Sequence, residues 1–346
     1  MPEQMPEFVD NPALGTVAPE AYIANRPAKN RSTRRRAICM LLLATAFWGV
    51  SFPTVKALTL AQPALMTGKS SWLLAALTLT VRFGATALIL LAWHRSDLRK
   101  LTSLERWQGL GLGLFGGTGL LLQLDGLTYT SASTSAFLTQ FYCLIIPLVV
   151  ALRDRKWPSL TVLSSCAVVL IGVAVLAGFN GRQLHLGRGE AETLLGSVLF
   201  AGQILWLERR RYAQNRMGHV SMVMFTTMAL IGLPVAFAAT AQPHDWLALF
   251  TSKTVLGFWA LLTVLCTLTA YLLMNYWQPS VSATEAGLIY CAEPVFASAY
   301  ALFLPAWFST LAGLSYANET LTANLVIGGG LIAAANVIIQ TRMDKR

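Results

Sequence analysis

From residue 37 onward the chain alternates long apolar runs with short polar links. The runs fall at roughly 37–59, 71–93, 107–128, 132–152, 158–179, 193–208, 218–240, 254–276, 284–304 and 322–341. A helix of about 20 apolar residues crosses a hydrocarbon core of about 30 Å. The pattern therefore predicts an all-α integral membrane protein with ten transmembrane helices. Ahead of the first run, residues 1–36 are polar, rich in Pro, Glu and Asn, and close on RSTRRR. Such a composition cannot bury a core, so this segment is expected to be a disordered cytoplasmic tail. No signal-peptide pattern precedes the first run, so no processing is expected.

Composition agrees with the pattern. Of 346 residues 55% are hydrophobic and 12% charged, against about 25% charged in soluble proteins. Lys and Arg set the orientation. With the N-terminus inside, 20 of the 26 fall in inner segments and 4 in outer loops (Lys69, Arg182, Arg188 and Lys253). The positive-inside rule then places both termini in the cytoplasm. The expected location is a cell membrane, with short loops favouring a bacterial inner membrane. The net charge of +10 follows from this topology and from anionic headgroups, with no need for nucleic acid. The expected partners are the lipid bilayer and a small-molecule substrate, with the protein a monomer or homodimer. Cys39, Cys143, Cys166, Cys266 and Cys291 all lie in apolar runs and read as packing residues. No cofactor motif or metal-ligand spacing is present, and no catalytic set.

The chain also repeats itself. TGLLLQLDGLTYTSASTSAFLTQFY from Thr118 aligns with TAYLLMNYWQPSVSATEAGLIYCAE from Thr269, 151 residues on. FWGVSFPTVK from Phe47 aligns loosely with LFAGQILWLE from Leu199, 152 residues on, and sets Ser51 against Gln203. Ten spans thus divide into 37–179 and 193–341. Five is odd, so the second copy enters the membrane upside down. Inverted repeats of this kind hold substrate near the midplane and work by alternating access.

Three stretches carry a family resemblance: WGVSFPTVK (48–56), QLDGLTYTSASTSAFLTQFYCLIIPL (123–148) and SATEAGLIYCAEPVFA (282–297). On these the chain resembles the ten-helix EamA-type carriers of the drug/metabolite transporter superfamily, over about residues 37–341. The resemblance implies a secondary transporter, most commonly an exporter of amino acids, related metabolites or drugs, and no enzyme activity. There are departures. The family's last link, G-E-x-L-T, is matched by Asn318 to Thr322 with Asn for Gly. It is preceded by an aromatic insert, 305–317, which reads as interfacial, and the link at 60–70 is long. A channel-like or non-transporting membrane subunit is the alternative reading. A lipid-modifying membrane enzyme would want acids and histidines clustered near one interface, and none cluster here.

Candidate site residues follow from polarity in apolar surroundings. Glu293 stands in a span directly before Pro294, which leaves the Tyr290 carbonyl without its helical donor. A charge at that depth costs about 2.5–3.5 kcal/mol on insertion scales. Two roles stand open for it, a cavity wall or an anchor satisfied by a neighbouring helix. Its repeat counterpart is Tyr142. Glu285 closes a capping box begun at Ser282. Arg82, at mid-span, calls for a carboxylate or carbonyls, with Asp125 one candidate. An ion pair is the leading reading and substrate binding the other. Lys56 is placed to snorkel. Trp48, Ser51, Gln123, Gln140, Tyr271 and Asn275 are further cavity candidates, the last two on one helix face. Pro53, Pro147 and Pro294 are candidate hinges.

Overall fold

The computed structural model describes residues 31–61, 70–130, 132–178, 187–240 and 245–343. It is helical throughout, with no strand among these residues. The first half comprises α1 (Arg31–Ala61), α2 (Ser71–Trp93), α3 (Ser103–Gly126), α4 (Ala132–Thr139), α5 (Tyr142–Asp154) and α6 (Leu160–Leu176). The second comprises α7 (Arg188–Leu207), α8 (Met217–Ala239), α9 (Asp245–Thr251), α10 (Lys253–Leu261), α11 (Ala270–Trp277), α12 (Ala283–Tyr290), α13 (Glu293–Ala301), α14 (Leu304–Ala312) and α15 (Ala323–Met343). A π-helical stretch, Leu262–Thr269, joins α10 to α11.

Every expected span is helical over most of its length, but the spans are not equally built. Five segments are each long and apolar enough to cross a membrane alone: Ser32–Ala61, Ser71–Trp93, Phe137–Asp154, Met217–Ala239 and Lys253–Ser280. A sixth arises if 283–301 is taken with α14, which turns off by 56°. The others are shorter or carry charge at their ends. Residues 1–30 of the expected tail, and most of the 60–70 link, lie outside the described residues. Residues 31–36 are not tail but the first turns of α1, where Arg34 pairs with the buried Glu285. That carboxylate also closes its capping box with Ser282, so one acid starts α12 and holds the end of α1.

Packing between elements comes in pairs. α2 lies on α8 and α6 on α15. α3 and α5 pack on α7, and in the other half α11 and α13 pack on α1. Small residues make the close approaches, as in membranes generally. α3 is wedged between α7 and α8 by glycines: a Cβ on Gly113 would stand 2.8 Å from the Met224 carbonyl of α8, and one on Gly119 3.0 Å from the Phe200 ring of α7. α6 crosses α15 at Gly172 and Gly328, where a Cβ on Gly328 would come within 2.5 Å of backbone.

Two helices are broken at matching points. α4 ends at Thr139 and α5 starts at Tyr142. α12 ends at Tyr290 and α13 starts at Glu293, 151 residues on. Pro294 sits in the first turn of α13, where its missing N–H costs nothing. The other two hinge candidates are placed differently. Pro53 and Pro147 lie inside the unbroken helices α1 and α5, and Cys143 holds the first-half position that Pro294 holds in the second.

On the face carrying the basic links, Glu105 ties the halves together. It caps α3 with Thr102, and it accepts from the Arg216 backbone N–H at 3.1 Å and from Arg216 Nε at 2.8 Å. Burial by itself would raise this carboxyl, but the hydrogen bonds from Arg216 and Thr102 outweigh it and hold it at about 2. Glu105 therefore stabilises the fold fully above its ordinary value of 4.5, and that contribution is lost as pH falls through about 2. Thermal unfolding in nanodiscs between pH 6 and pH 3 should show a fall in Tm for the wild type that is smaller in Glu105→Gln. At the α6–α15 crossing, Gly328→Val should cost about 1–3 kcal/mol through overpacking, read as a lower unfolding midpoint.

Candidate functional site

A cavity of about 530 Å³ lies between the halves. Its inner wall includes Arg82 of α2, Tyr271 of α11, Tyr290 of α12 and Glu293 of α13. Its rim is formed by helix ends remote from the basic face: Lys56 and Thr59 of α1, Leu127 beyond α3, Ala177 beyond α6 and Ala301 of α13. The link after α14 adds Tyr316 and Glu319 to that rim. It is fixed there by the Glu319 N–H on the Ala301 carbonyl (2.9 Å) and by Asn318 Oδ1 accepting from the Ala306 N–H (2.8 Å). Toward the basic face the cavity has a floor. The Tyr290 hydroxyl donates to Gln278 Oε1 at 3.0 Å, and Gln278 Nε2 donates to the Ile204 carbonyl at 2.9 Å, so α12, the α11 end and α7 are joined in series.

Lining positions occur as repeat partners. At 151 residues apart, Leu120 and Tyr271, Gln123 and Met274, Thr139 and Tyr290, and Tyr142 and Glu293 all face the cavity. At 152 apart, so do Trp48 and Phe200, Ser51 and Gln203, and Phe52 and Ile204. The cavity thus straddles the axis that relates the halves, and the residues differ across it. Tyr142 and Glu293 begin the two post-break helices, one neutral and one acidic.

Glu293 reaches this position through the break. Opening the helix at Cys291 and Ala292 sets the carboxylate in the first turn of α13, where the helix dipole favours it. Trp48 stacks edge-on with Tyr271 and with Tyr290, centroids 5.3 Å apart in both cases. Behind the cavity wall Tyr271 packs edge-on against the buried Phe83, centroids 5.7 Å apart. Gln123 Nε2 donates to Thr139 Oγ1 at 2.8 Å, which bridges α3 to α4 inside the cavity.

Of the sequence candidates, Trp48, Ser51, Gln123, Tyr142, Tyr271, Tyr290, Glu293, Lys56 and Arg82 line the cavity, with Pro53 and Pro294. Four candidates do not, Pro147 of α5 among them. Gln140 lies in the α4–α5 break, 1% exposed and off the cavity wall. Asn275 is fully buried and donates to Ser221 Oγ of α8 at 2.9 Å, so it joins helices. Asp125 is not the partner of Arg82. It pairs with Arg188 at 2.5 Å at the opposite end of α3 and α7 from the basic face, where Arg188 also stacks on Tyr129. The partner of Arg82 is Thr267: its Nε donates to Thr267 Oγ1 at 3.0 Å. Sequence reading missed Gln203, Phe200 and Met274 as wall residues. The repeat alignment held the signal, since each is the partner of a chosen residue.

No group of three or more His, Cys, Asp or Glu among the described residues is placed to hold a metal ion. The four cysteines in the interior are free and buried, and Cys39 is free and exposed on α1.

Comparison with known proteins agrees with this architecture. Residues 35–178 match the EamA-like transporter family. A protein of Archaeoglobus fulgidus named as an uncharacterized transporter is 24% identical over 88% of this chain and 85% of its own. The uncharacterized transporter YcbK of Bacillus subtilis is 26% identical over 58% of this chain and 65% of its own. A solved crystal structure shares the fold, with a TM-score of 0.60 at 17% identity over 90% of this chain and 98% of that one.

Accessibility should follow the geometry. With Cys39 replaced by Ser, a cysteine at Ser51 should react with a membrane-impermeant maleimide from the face remote from the basic links. A cysteine at Asn275 should not. Equal labelling of both would contradict the placement of the cavity.

Proposed function

We propose that the chain is an EamA-type membrane transporter of the drug/metabolite transporter superfamily, exporting small polar or amphipathic metabolites by alternating access. The observation that carries this reading is the cavity itself. It sets a few polar groups, Arg82 and Glu293 among them, in a mainly apolar lining, is walled by both halves and is floored at one face. A chain with no transport role has no reason to keep an acid, an arginine and two tyrosines at that depth, since such groups are costly in a bilayer. In this proposal 37–179 and 193–341 are inverted halves that rock about the shared cavity. The described arrangement, with its rim away from the basic face, is then outward-facing, because the Lys and Arg bias sets the basic face in the cytoplasm. Amino acids and related metabolites suit the volume and the mixed lining of aromatic and polar groups.

Secondary transport needs a coupled ion or exchange partner. Glu293 is the candidate, because a carboxylate that faces water in one conformation and protein in the other changes its proton affinity between them. Asp125, engaged with Arg188, is not needed for this.

Untargeted mass spectrometry of medium from cells overexpressing the protein, against an empty-vector control, tests the reading. Metabolites enriched outside only with the protein are expected, and no enrichment under any growth condition would contradict export. Glu293→Gln at matched expression should reduce enrichment at least about 10-fold and flatten the dependence of export on external pH. A variant that transports with unchanged rate and pH profile would remove Glu293 from the coupling.

A further inference from the structure

Arg82 stands at the middle of α2 and is 4% exposed. Arginine does not shed its proton in proteins, so a full cation is fixed at the depth where a bilayer opposes it most. Such a group ordinarily has a carboxylate beside it. Among the described residues Arg82 has none within ion-pair distance. Asp125 is taken by Arg188 and Glu105 by Arg216, while Glu285 is taken by Arg34. Glu293 shares the cavity with Arg82 but makes no ion pair with it.

The side chain is nevertheless well positioned. Its Nε donates to Thr267 Oγ1 at 3.0 Å, and the Thr267 hydroxyl donates to the Leu262 carbonyl, five residues back, at 2.9 Å. That i−5 spacing belongs to the π-helical turn, a device found often at functional sites. The guanidinium lies 5.6 Å from the Phe83 ring. Pinning Nε leaves the two terminal nitrogens of the fork without an acceptor among the described residues, on a residue that lines the cavity. Two parallel N–H donors match a planar carboxylate.

On the reading that the cavity carries a transported molecule, we infer that Arg82 is the docking residue for a carboxylate of that molecule. The aromatic wall of Trp48 and Tyr271, both of which line the cavity, receives the apolar part. Arg82 has no ionic counterpart across the repeat axis, where the positions 151 and 152 residues on are Leu233 and Pro234. The substrate is therefore held in one orientation, acid end toward α2. Glu293, on the other half, then faces the opposite end of the substrate and excludes a second carboxylate there.

Two measurements test this with the full-length protein. The first needs no ligand: thermal unfolding of Arg82→Gln and wild type in nanodiscs. A docking residue with no internal counter-ion predicts an unfolding temperature unchanged or raised in the variant. A marked fall would mean that Arg82 is a structural tie and would overturn the inference. The second is export into the medium by wild type, Arg82→Lys and Arg82→Gln at matched expression. Every compound enriched by the wild type should carry a free carboxylate. Arg82→Gln should lose at least about 100-fold, and Arg82→Lys, a point charge without the fork, should lose less. Enrichment of compounds without a carboxylate, or export undiminished in Arg82→Gln, overturns the inference and leaves transport standing. Wild-type cells that enrich nothing would fail the transport reading itself.

Discussion

A polar group placed in hydrocarbon has to find a partner within the protein or a water-filled space, and that constraint organises this molecule. Glu293, Arg82, Tyr142 and the broken backbone at 140–141 and 291–292 all lie at membrane depth. None is tolerable on a lipid-facing surface. The fold accommodates them by setting two helix breaks at matching points and turning both toward one shared cavity. Most of the remaining architecture holds that cavity in shape: the glycine face of α3 between α7 and α8, the Gly172–Gly328 crossing of α6 with α15, and the Tyr290–Gln278–Ile204 floor.

The two halves share construction but not chemistry. Tyr142 and Glu293 occupy equivalent places, as do Thr139 and Tyr290, and Ser51 and Gln203. Outside the cavity the contacts at the helix starts differ in kind between the halves. Arg34 at the start of α1 engages Glu285 of α12. Near the start of α7, Thr130 Oγ1 donates to Glu190 Oε1 at 2.5 Å. In the proposed transport cycle a symmetric scaffold supplies two equivalent conformations, and asymmetric side chains decide what is recognised in them. Arg82 with Thr267 is the strongest departure from symmetry, and it depends on the π-helical turn that only the second half contains among the described residues.

Much of this was legible in the sequence, for physical reasons that differ residue by residue. The helices announced themselves through run length. The capping box at Ser282 to Glu285 and the break before Pro294 were local signals and came out as read. The matching break at Gln140 was not legible, because no proline marks it and only the repeat alignment points there. Asn275 was chosen for sharing a face with Tyr271, but one turn further along α11 that face meets α8 and Ser221 instead of open space. The pairing of Arg82 with Asp125 failed for lack of a third coordinate. Asp125 lies near the end of α3 and finds Arg188 there, while Arg82 stays at mid-span. Chain order gave depth to within a turn, and gave no information on rotation about the helix axis.

In the proposed cycle the cavity opens by movement of one half against the other. Spin labels on Thr59, at the rim end of α1, and on Leu127, beyond α3, report the width of that rim. Pulsed electron paramagnetic resonance in nanodiscs should resolve two distance populations. One matches the described open rim and one is shorter, and their ratio should shift between wild type and Glu293→Gln. A single distance, unchanged by pH and by the substitution, would contradict alternating access in this protein.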